Sequence, residues 1–374
     1  MDNQKIDFVN LKAQYLDYKE EIDTAIHSIL DSASFIQGHE VRELEESLAR
    51  YLQTKHCITC SSGTDALLLA LLAIGIKPGD EVITTAFSFF ATAEAIALLG
   101  ATPVFVDIDE KTYNIDATQI EAKITSNTKA IIPVNIFGQP ADIDEINKIA
   151  TKHKLIVIED GAQSFGARYK NKKSCCLSEI GCTSFFPAKP LGCYGDGGAL
   201  FTDNDELAGK LRCLMNHGQA ERYEHKHVGI NGRLDTIQAA ILRVKLKYYD
   251  HELKKRKDIA LRYTAGFSNK TDIVTPFTKE DRSSTYAQYS IRLKNRNEVV
   301  KQLQEAQIPV AIHYPIPLYR QAALSYLAID CYDFPISETV SQEILSLPIS
   351  PYLSLDQQDY IISTLTNILR KGSL

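Results

Sequence analysis

Neither an excess of basic residues nor a membrane-length apolar run occurs in the 374-residue sequence. Asp and Glu (47) outnumber Lys and Arg (41), and the net charge of −6 argues against a nucleic-acid partner, which would need a basic surface. The longest apolar run, residues 66–76, is too short to span a bilayer. We therefore expect neither nucleic acid nor a membrane as a partner.

Cysteine is also sparse. Eight cysteines in 374 residues are too few for a disulfide framework. The first residues, MDNQKIDFVN, contain no basic segment followed by an apolar one, so no secretory signal is visible. Together these observations predict reduced thiols and a cytoplasmic location.

Several ligand fingerprints are missing. The sequence contains neither G-x-G-x-x-G after a strand nor G-x-x-x-x-G-K-[ST], so neither motif supports a dinucleotide or nucleoside triphosphate site. It has no His-Glu-x-x-His. Cys57 and Cys60 would face opposite sides of a strand, and Cys175 and Cys176 do not complete the spacing of a zinc ribbon. We therefore expect no metal site.

The pattern of apolar residues predicts an α/β protein. Helical stretches alternate with short apolar runs that are typical of strands, at residues 57–62, 81–86, 102–109, 129–137, 155–160, 182–186 and 198–203. Such alternation indicates βαβ units and a mostly parallel sheet. Helix is also predicted over residues 15–53 and, as one long element, over residues 234–267.

Three parts are expected along the chain. Residues 1–40 would pack with a small C-terminal domain, and residues 41–240 would form a large α/β domain. Residues 241–374 would contain the long helix and the smaller α+β domain. Within that domain, residues 287–293 and 308–314 alternate apolar and polar side chains as strands do.

The segment SSGTDAL (61–67) lies where a predicted strand ends and a helix begins. Gly63 and Thr64 would offer free backbone N–H groups, a hydroxyl group and the positive end of a helix dipole, which suit a phosphate. An ordinary helix N-cap formed by Thr64 or Ser62 explains the same residues. The segment alone leaves both interpretations open.

An acid and a lysine stand at two further positions of interest. Asp160 ends the apolar run LIVIED, where doubly wound folds place ligands; it either holds a buried cationic group or caps the next helix. Lys189, in TSFFPAKPLGCYGDGGAL, either occupies a partly desolvated pocket, where it would attack a carbonyl readily, or is an exposed loop lysine. With the phosphate cradle, these residues match the phosphate, pyridine nitrogen and aldehyde of pyridoxal 5′-phosphate (PLP).

Five ordered motifs extend this match: SSGTDALLLAL, EDGAQSFGA, TSFFPAKPLGCYGDGGA, GINGRLDTIQAAIL and IHYPIPL. Through them, the chain from Ile6 to Leu353 resembles the DegT/DnrJ/EryC1/StrS sugar-nucleotide aminotransferases, a family of fold-type I PLP enzymes. The resemblance implies a mostly parallel seven-stranded sheet between helices and a smaller C-terminal α+β domain. Within the family, the chain is most similar to the WbpE-like enzymes, which aminate the 3-keto group of UDP-2-acetamido-2-deoxy-ribo-hexuluronate.

The resemblance also implies roles for the cofactor-binding positions. Lys189 would form the Schiff base with PLP and later move the proton, and Asp160 would pair with the pyridinium nitrogen. Phe89 would stack on the ring, and Gln163 would lie near its 3-hydroxyl group. The positions expected around the phosphate are Gly63, Thr64, Asp65 and Ser184. Asn231 would reach the cofactor of the neighbouring subunit, which implies a homodimer with shared active sites.

On the substrate side, His313 and Tyr314 would line a sugar-nucleotide cleft. Arg233 would bind a carboxylate or pyrophosphate, which its planar guanidinium suits. Simpler alternatives stay open: Phe89 as ordinary core, Asn231 as a turn residue and Arg233 as the partner of a surface acid.

The implied reaction transfers an amino group from L-glutamate to a keto sugar for a bacterial surface polysaccharide such as lipopolysaccharide O-antigen. A 4-keto or 3-keto 6-deoxy nucleotide sugar is the alternative substrate. A nicotinamide-linked dehydrogenase would lack its glycine fingerprint here. A non-catalytic binding or regulatory protein of the same fold would have no need of the intact lysine, acid and phosphate positions.

Overall fold

The computed structural model describes residues 5–372. Its α-helices are α1 (Leu11–Asp17), α2 (Lys19–Ser32), α3 (His39–Leu52), α4 (Gly63–Ala73), α5 (Ala91–Leu98), α6 (Ala117–Ile120), α7 (Ile143–His153), α8 (Asp205–Leu214), α9 (Thr236–Phe267), α10 (Arg296–Glu305), α11 (Pro335–Glu343) and α12 (Leu355–Gly372). Its strands are β1 (His56–Cys60), β2 (Glu81–Thr85), β3 (Thr102–Val106), β4 (Thr128–Ile132), β5 (Ile156–Asp160), β6 (Arg168–Tyr169), β7 (Lys172–Lys173), β8 (Ile180–Ser184), β9 (Gly198–Thr202), β10 (Gln219–Glu221), β11 (Glu224–His225), β12 (Tyr289–Arg292) and β13 (Ile344–Leu347).

Seven of these strands form the central sheet, in the order β1-β9-β8-β5-β4-β2-β3. β9 is antiparallel to both of its neighbours, β1 and β8, whereas the other neighbouring pairs are parallel. The strands are almost completely buried, because helices cover both faces of the sheet, as a parallel sheet requires. The predicted mostly parallel seven-stranded sheet is therefore confirmed.

Two apolar cores lie on opposite faces of this sheet. Leu200 of β9 packs with Leu67 of α4, a helix that is apolar on nearly all sides. The next residue, Phe201, belongs to the other core, where it packs with Leu44 and Leu48 on the apolar face of the amphipathic helix α3. Successive residues of one strand thus anchor the two helical layers, since side chains alternate between the faces.

A further core lies in the C-terminal part of the chain. Tyr263 of α9 packs there with Tyr289 of β12, Leu345 of β13 and Leu365 of α12, and Ile6 joins them. α2 packs on α9 nearer its amino end. One helix, α9, therefore contacts the N-terminal segment and also this C-terminal core. The division into three parts by the boundaries given above stays a prediction.

The helix predicted over residues 15–53 is present but interrupted, since α1, α2 and α3 occupy this stretch. Ala33 and Gln37 have left-handed backbone conformations, with φ of 49° and 53°, which a continuous helix does not allow. The segment instead contacts the start of α9, where the Gly38 N–H donates to Thr236 Oγ1 over 3.1 Å.

The strand expected over residues 308–314 is also wrong. This stretch makes a single β-bridge, from Ala311 to Ser346. The partner of β12 is β13, which the sequence pattern did not predict. Pro309 lacks a backbone N–H and weakens strand pairing along the predicted segment.

Candidate active site

Three strand ends meet at one edge of the sheet. Gly198 of β9 is the register partner of Cys60, the last residue of β1, and of Ser184, the last residue of β8. Asp160 ends β5, which is parallel to β8. The topology therefore brings the three predicted motifs together, although they lie far apart in the sequence.

The first motif forms the amino end of α4. The Ser62 hydroxyl accepts from the Asp65 N–H over 3.0 Å, so Ser62 is the N-cap, as one alternative from the sequence proposed. Among the hydrogen bonds of residues 5–372, none uses the N–H groups of Gly63 and Thr64. These two donors, at the positive end of the α4 dipole, are available to an anion.

Ser184 lies directly against this helix end. A Cβ built on Gly63 would lie 2.6 Å from Ser184 Cβ and 3.1 Å from Ser184 Oγ. Gly63, Thr64 and Ser184 are therefore brought together as predicted. The Asp65 carboxylate accepts a hydrogen bond from the Ser61 hydroxyl and is thus used within the same helix end.

Asp160 is buried, with 5% of its surface exposed. Its Oδ2 accepts from the Thr92 hydroxyl over 2.8 Å, and its Oδ1 accepts from the Ala162 N–H over 3.1 Å. Burial raises the pKa of Asp160, while the two hydrogen bonds and the positive charge of Lys189 oppose that shift. Burial of the charged carboxylate is only partly offset by these interactions, so a cationic partner such as a pyridinium nitrogen would stabilise it further.

Lys189 is partly buried in the turn that follows β8. Its backbone N–H donates to the Phe186 carbonyl over 2.8 Å, which closes the turn. Burial lowers the pKa of Lys189, and the negative charge of Asp160 opposes this effect. The amine is therefore easier to deprotonate than an exposed lysine, as a nucleophile toward an aldehyde must be.

Gln163, Tyr314 and Phe89 form another part of the site. The Gln163 amide donates to the Tyr314 hydroxyl over 3.2 Å, and its oxygen accepts from the Phe137 N–H over 2.6 Å. Phe89, with 57% of its surface exposed, lies 6.1 Å from the Tyr314 ring, centroid to centroid. The exposed ring does not fit ordinary core, which was its alternative from the sequence.

His313 lies beside this group. Its Nδ1 is 2.9 Å from the Ser346 hydroxyl, and its ring centroid is 5.5 Å from that of Tyr314. Burial lowers the pKa of His313 to about 4, and the positive charge of Lys189 adds to this shift. His313 is therefore neutral at neutral pH and lies within electrostatic reach of Lys189.

Asn231 and Arg233 lie next to the segment that leads into α4. The Ser61 N–H donates to the Gly232 carbonyl between them over 2.9 Å. Arg233 Nη1 donates to Asn216 Oδ1 over 2.6 Å, so its partner is an amide rather than a surface acid, while its Nε is buried without a partner. Asn231 is exposed, and no hydrogen bond within residues 5–372 joins it or Arg233 to Lys189 or Asp160.

The sequence analysis missed the polar partners of Asp160 and of its neighbour Glu159, which faces the opposite side of β5. Thr92 donates to Asp160 from the first turn of α5, and Glu159 accepts from the Cys175 N–H over 2.8 Å and the Leu177 N–H over 3.0 Å. Burial raises the pKa of Glu159, and these hydrogen bonds oppose the shift. In the sequence, each of these residues is visible only as a polar residue within an apolar stretch. That pattern does not identify the partner of the residue.

The residues present fit PLP. The free N–H groups of Gly63 and Thr64 and the Ser184 hydroxyl suit its phosphate, the buried Asp160 suits its ring nitrogen, and Lys189 suits its aldehyde. Within residues 5–372, no group of three or more His, Cys, Asp or Glu side chains is arranged to hold a metal ion. None of the helices in that part of the chain combines the length and apolar character needed to cross a membrane.

Comparisons with known proteins identify the family of the chain. Residues 16–366 match the model of the DegT/DnrJ/EryC1/StrS aminotransferase family. The chain is 50% identical over 362 residues to a Pseudomonas aeruginosa UDP-2-acetamido-2-deoxy-3-oxo-D-glucuronate aminotransferase, covering 97% of this chain and 100% of the relative. It is 42% identical over 370 residues to an Acidithiobacillus ferrooxidans UDP-N-acetyl-3-dehydro-α-D-glucosamine 3-aminotransferase, covering 99% and 98%.

A solved structure gives the same result for the fold. NtdA from Bacillus subtilis, with its bound cofactor PMP, superimposes with a TM-score of 0.91 at 32% identity, covering 99% of this chain and 87% of the other. The family match and the two relatives cover nearly the whole chain. The chain therefore belongs to the DegT/DnrJ/EryC1/StrS aminotransferase family.

Proposed function

We propose that this protein is a PLP-dependent aminotransferase that moves an amino group from L-glutamate to the 3-keto group of UDP-2-acetamido-2-deoxy-ribo-hexuluronate. One arrangement carries the proposal. The buried Asp160 interacts electrostatically with Lys189, and burial lowers the pKa of Lys189. Both residues lie beside a helix end with two free N–H donors. The two relatives named above, which by their names act on a 3-oxo and a 3-dehydro UDP-sugar, support the position of amination.

When bound, PLP supplies a ring that accepts the electron pair released at Cα of the amino donor. Asp160 would hold the proton on the ring nitrogen, because the negative charge of a buried carboxylate favours the protonated, positively charged form of that nitrogen. Thr92 and the Ala162 N–H would keep the carboxylate oriented toward that nitrogen. Lys189 would bind the cofactor and then take the proton from Cα of the donor as a general base.

The remaining predicted residues would orient the ligands. Gly63, Thr64 and Ser184 would bind the phosphate, Gln163 would lie near the ring hydroxyl, and Phe89 would cover the ring face. Asp65 would belong to the same cofactor-binding helix end, where its carboxylate accepts from the Ser61 hydroxyl. On the substrate side, the expected residues are Arg233, His313 and Tyr314. A sugar acid offers a carboxylate to Arg233, whose Nε has no partner within the described part of the chain.

We further propose that the protein acts as a homodimer in which Asn231 reaches the neighbouring subunit's cofactor. Large exposed apolar side chains support this: near the site, Phe89 is 57% and Phe186 52% exposed, and elsewhere Val228 is 92% exposed. Such apolar exposure is typical of an interface between subunits. The seven cysteines whose state is described are free thiols, which supports the expectation of a reducing, cytoplasmic location.

The Lys189 assignment is tested by reducing the PLP-loaded protein with borohydride and locating the adduct by mass spectrometry. We expect the adduct on Lys189 and not on Lys173. Lys173 is a matched control, because burial lowers its pKa as well but Asp160 does not lie beside it. Lys189→Ala should abolish turnover and leave the fold intact. An adduct elsewhere, or near-normal activity of Lys189→Ala, would refute the assignment.

The substrate is tested by converting the enzyme to its amine-loaded form with L-glutamate and adding keto sugar nucleotides one at a time. The 3-keto hexuluronate should restore the PLP absorbance fastest. Faster recovery with a 4-keto 6-deoxy sugar would favour the alternative substrate. Failure of glutamate to load the enzyme would refute the proposed donor.

A further inference from the structure

Lys245 of α9 carries a buried ammonium group that the reaction described above does not use. It is 3% exposed, and its Nζ donates to the carbonyl oxygen of Gly192. The Nζ also lies 5.0 Å from the centroid of the Tyr194 ring. No carboxylate within residues 5–372 forms a salt bridge with it. A buried charge without a paired acid is costly, and an apolar side chain of similar length would be cheaper for stability alone.

The carbonyl that Lys245 holds belongs to the turn that carries Lys189. A Cβ on Gly192 would lie 2.5 Å from the Pro187 carbonyl oxygen and 2.6 Å from that of Phe186. The Lys189 N–H donates to the same Phe186 carbonyl over 2.8 Å. Residues 186–192 therefore form a compact turn, with Lys189 in its middle and Gly192 closing it.

A second contact from α9 holds the chain just beyond this turn. Gln238 Oε1 accepts from the Tyr194 N–H over 2.9 Å. Gln238 and Lys245 are seven residues apart, so they lie two turns apart on one face of the helix. One rigid helix thus fixes the segment after Lys189 at two backbone positions.

We propose that Lys245 is a positioning residue for Lys189: its ammonium group, through the Gly192 carbonyl, fixes the turn from which the Lys189 side chain projects. This inference rests on the proposed role of Lys189. Burial, the largest effect, lowers the pKa of Lys245 to about 8, with Arg256 adding to the shift and Glu252 and Cys193 opposing it. The group therefore stays mostly protonated at neutral pH and keeps its donor.

The test compares Lys245→Met with Lys247→Met in the PLP-loaded enzyme. Lys247 lies two residues further along α9, is exposed and pairs with Glu21, so it is a matched control. We expect Lys245→Met to lower kcat about 100-fold, as a displacement of about 1 Å does, without raising KM for the nucleotide sugar. The pH titration of the visible absorbance of the Lys189–PLP adduct should shift, and adduct formation from apoprotein should slow. Lys247→Met should change none of these.

Lys245→Arg, which keeps a charged donor, should recover part of kcat and of the absorbance titration. If Lys245→Met does not fold, Lys245→Gln is measured instead, with the same expectation, because its shorter amide reaches the carbonyl less well. An unchanged kcat and an unchanged titration, with only a lower melting temperature, would overturn the inference. A wild-type protein without any adduct at Lys189 would refute the proposed function, whereas a normal wild-type adduct with an unaffected Lys245 variant refutes this inference alone.

Discussion

Gly63→Ala tests whether the α4 end and Ser184 together bind the cofactor phosphate. The added Cβ would lie 2.6 Å from Ser184 Cβ and 3.2 Å from its Cα. Because ordinary carbon contacts are about 3.5–4.0 Å, the two elements must separate by about 1 Å. The donors of α4 and the Ser184 hydroxyl would then no longer surround one anion.

The magnitude follows from two opposing effects on stability. Overpacking costs about 1–3 kcal/mol, whereas replacing glycine by alanine in a helix gains up to about 1 kcal/mol. The net loss of stability is therefore about 0–3 kcal/mol. The alanine methyl group offers no such gain to phosphate binding. We therefore expect PLP affinity to fall at least about tenfold, or about 1.4 kcal/mol.

The assay is a titration of apoprotein with PLP, followed by absorbance, together with the melting temperature. Gly209→Ala is the control, because Gly209 lies in α8 with open space where its Cβ would be. It should raise stability slightly and leave PLP affinity unchanged. In a Ser184→Gly background, Gly63→Ala should cost less stability, since the clashing Cβ is gone. Unchanged PLP affinity in Gly63→Ala would refute a phosphate site between these residues.

Three further predictions concern Asp160, Asn231 and His313. Asp160→Asn keeps the shape of the side chain but removes its charge, so kcat should fall at least about 100-fold with PLP still bound; initial rates near wild type would contradict this role. Asn231→Ala should release PLP on dialysis, followed by absorbance, and full retention would make Asn231 a turn residue only. The pKa of His313 is about 4 in the folded protein against 6.5 ordinarily, so the unfolded chain binds the proton first and stability falls as the pH drops through this range. Urea unfolding from pH 6.5 to 4 should show a slope of up to about 1.4 kcal/mol per pH unit from this residue, which His313→Gln should remove; an equal slope in that variant would exclude His313 as its source.

The sequence predicted the sheet well because its central strands are buried on both faces. The run LIVIED, for example, predicted a strand that the structure has as β5, ending at Asp160. Parallel strands of this kind end at one edge, so the meeting of Asp160 with the α4 end follows from the fold class. The long helix predicted over residues 234–267 is likewise present as α9.

Partners that lie far apart in sequence could not be predicted in this way. Thr92 is a small polar residue in an apolar helix, and nothing in that pattern connects it to an acid 68 positions away. Lys245 lies in a helical stretch rich in charge, where a lysine is normally solvated. Its burial depends on how α9 packs against the turn at Gly192, which hydrophobic periodicity does not specify.

α9 has 32 residues and is therefore about 48 Å long. In its amino-terminal half, Lys245 donates to the Gly192 carbonyl, and toward its carboxyl end the Tyr263 hydroxyl donates to the Pro348 carbonyl over 3.0 Å. One residue inserted between Lys245 and Tyr263 would rotate these two contacts by about 100° relative to each other. The number of residues between them is thus fixed by geometry. Chimaeric proteins that exchange C-terminal halves with relatives should be joined in loops, or keep the phase of this helix.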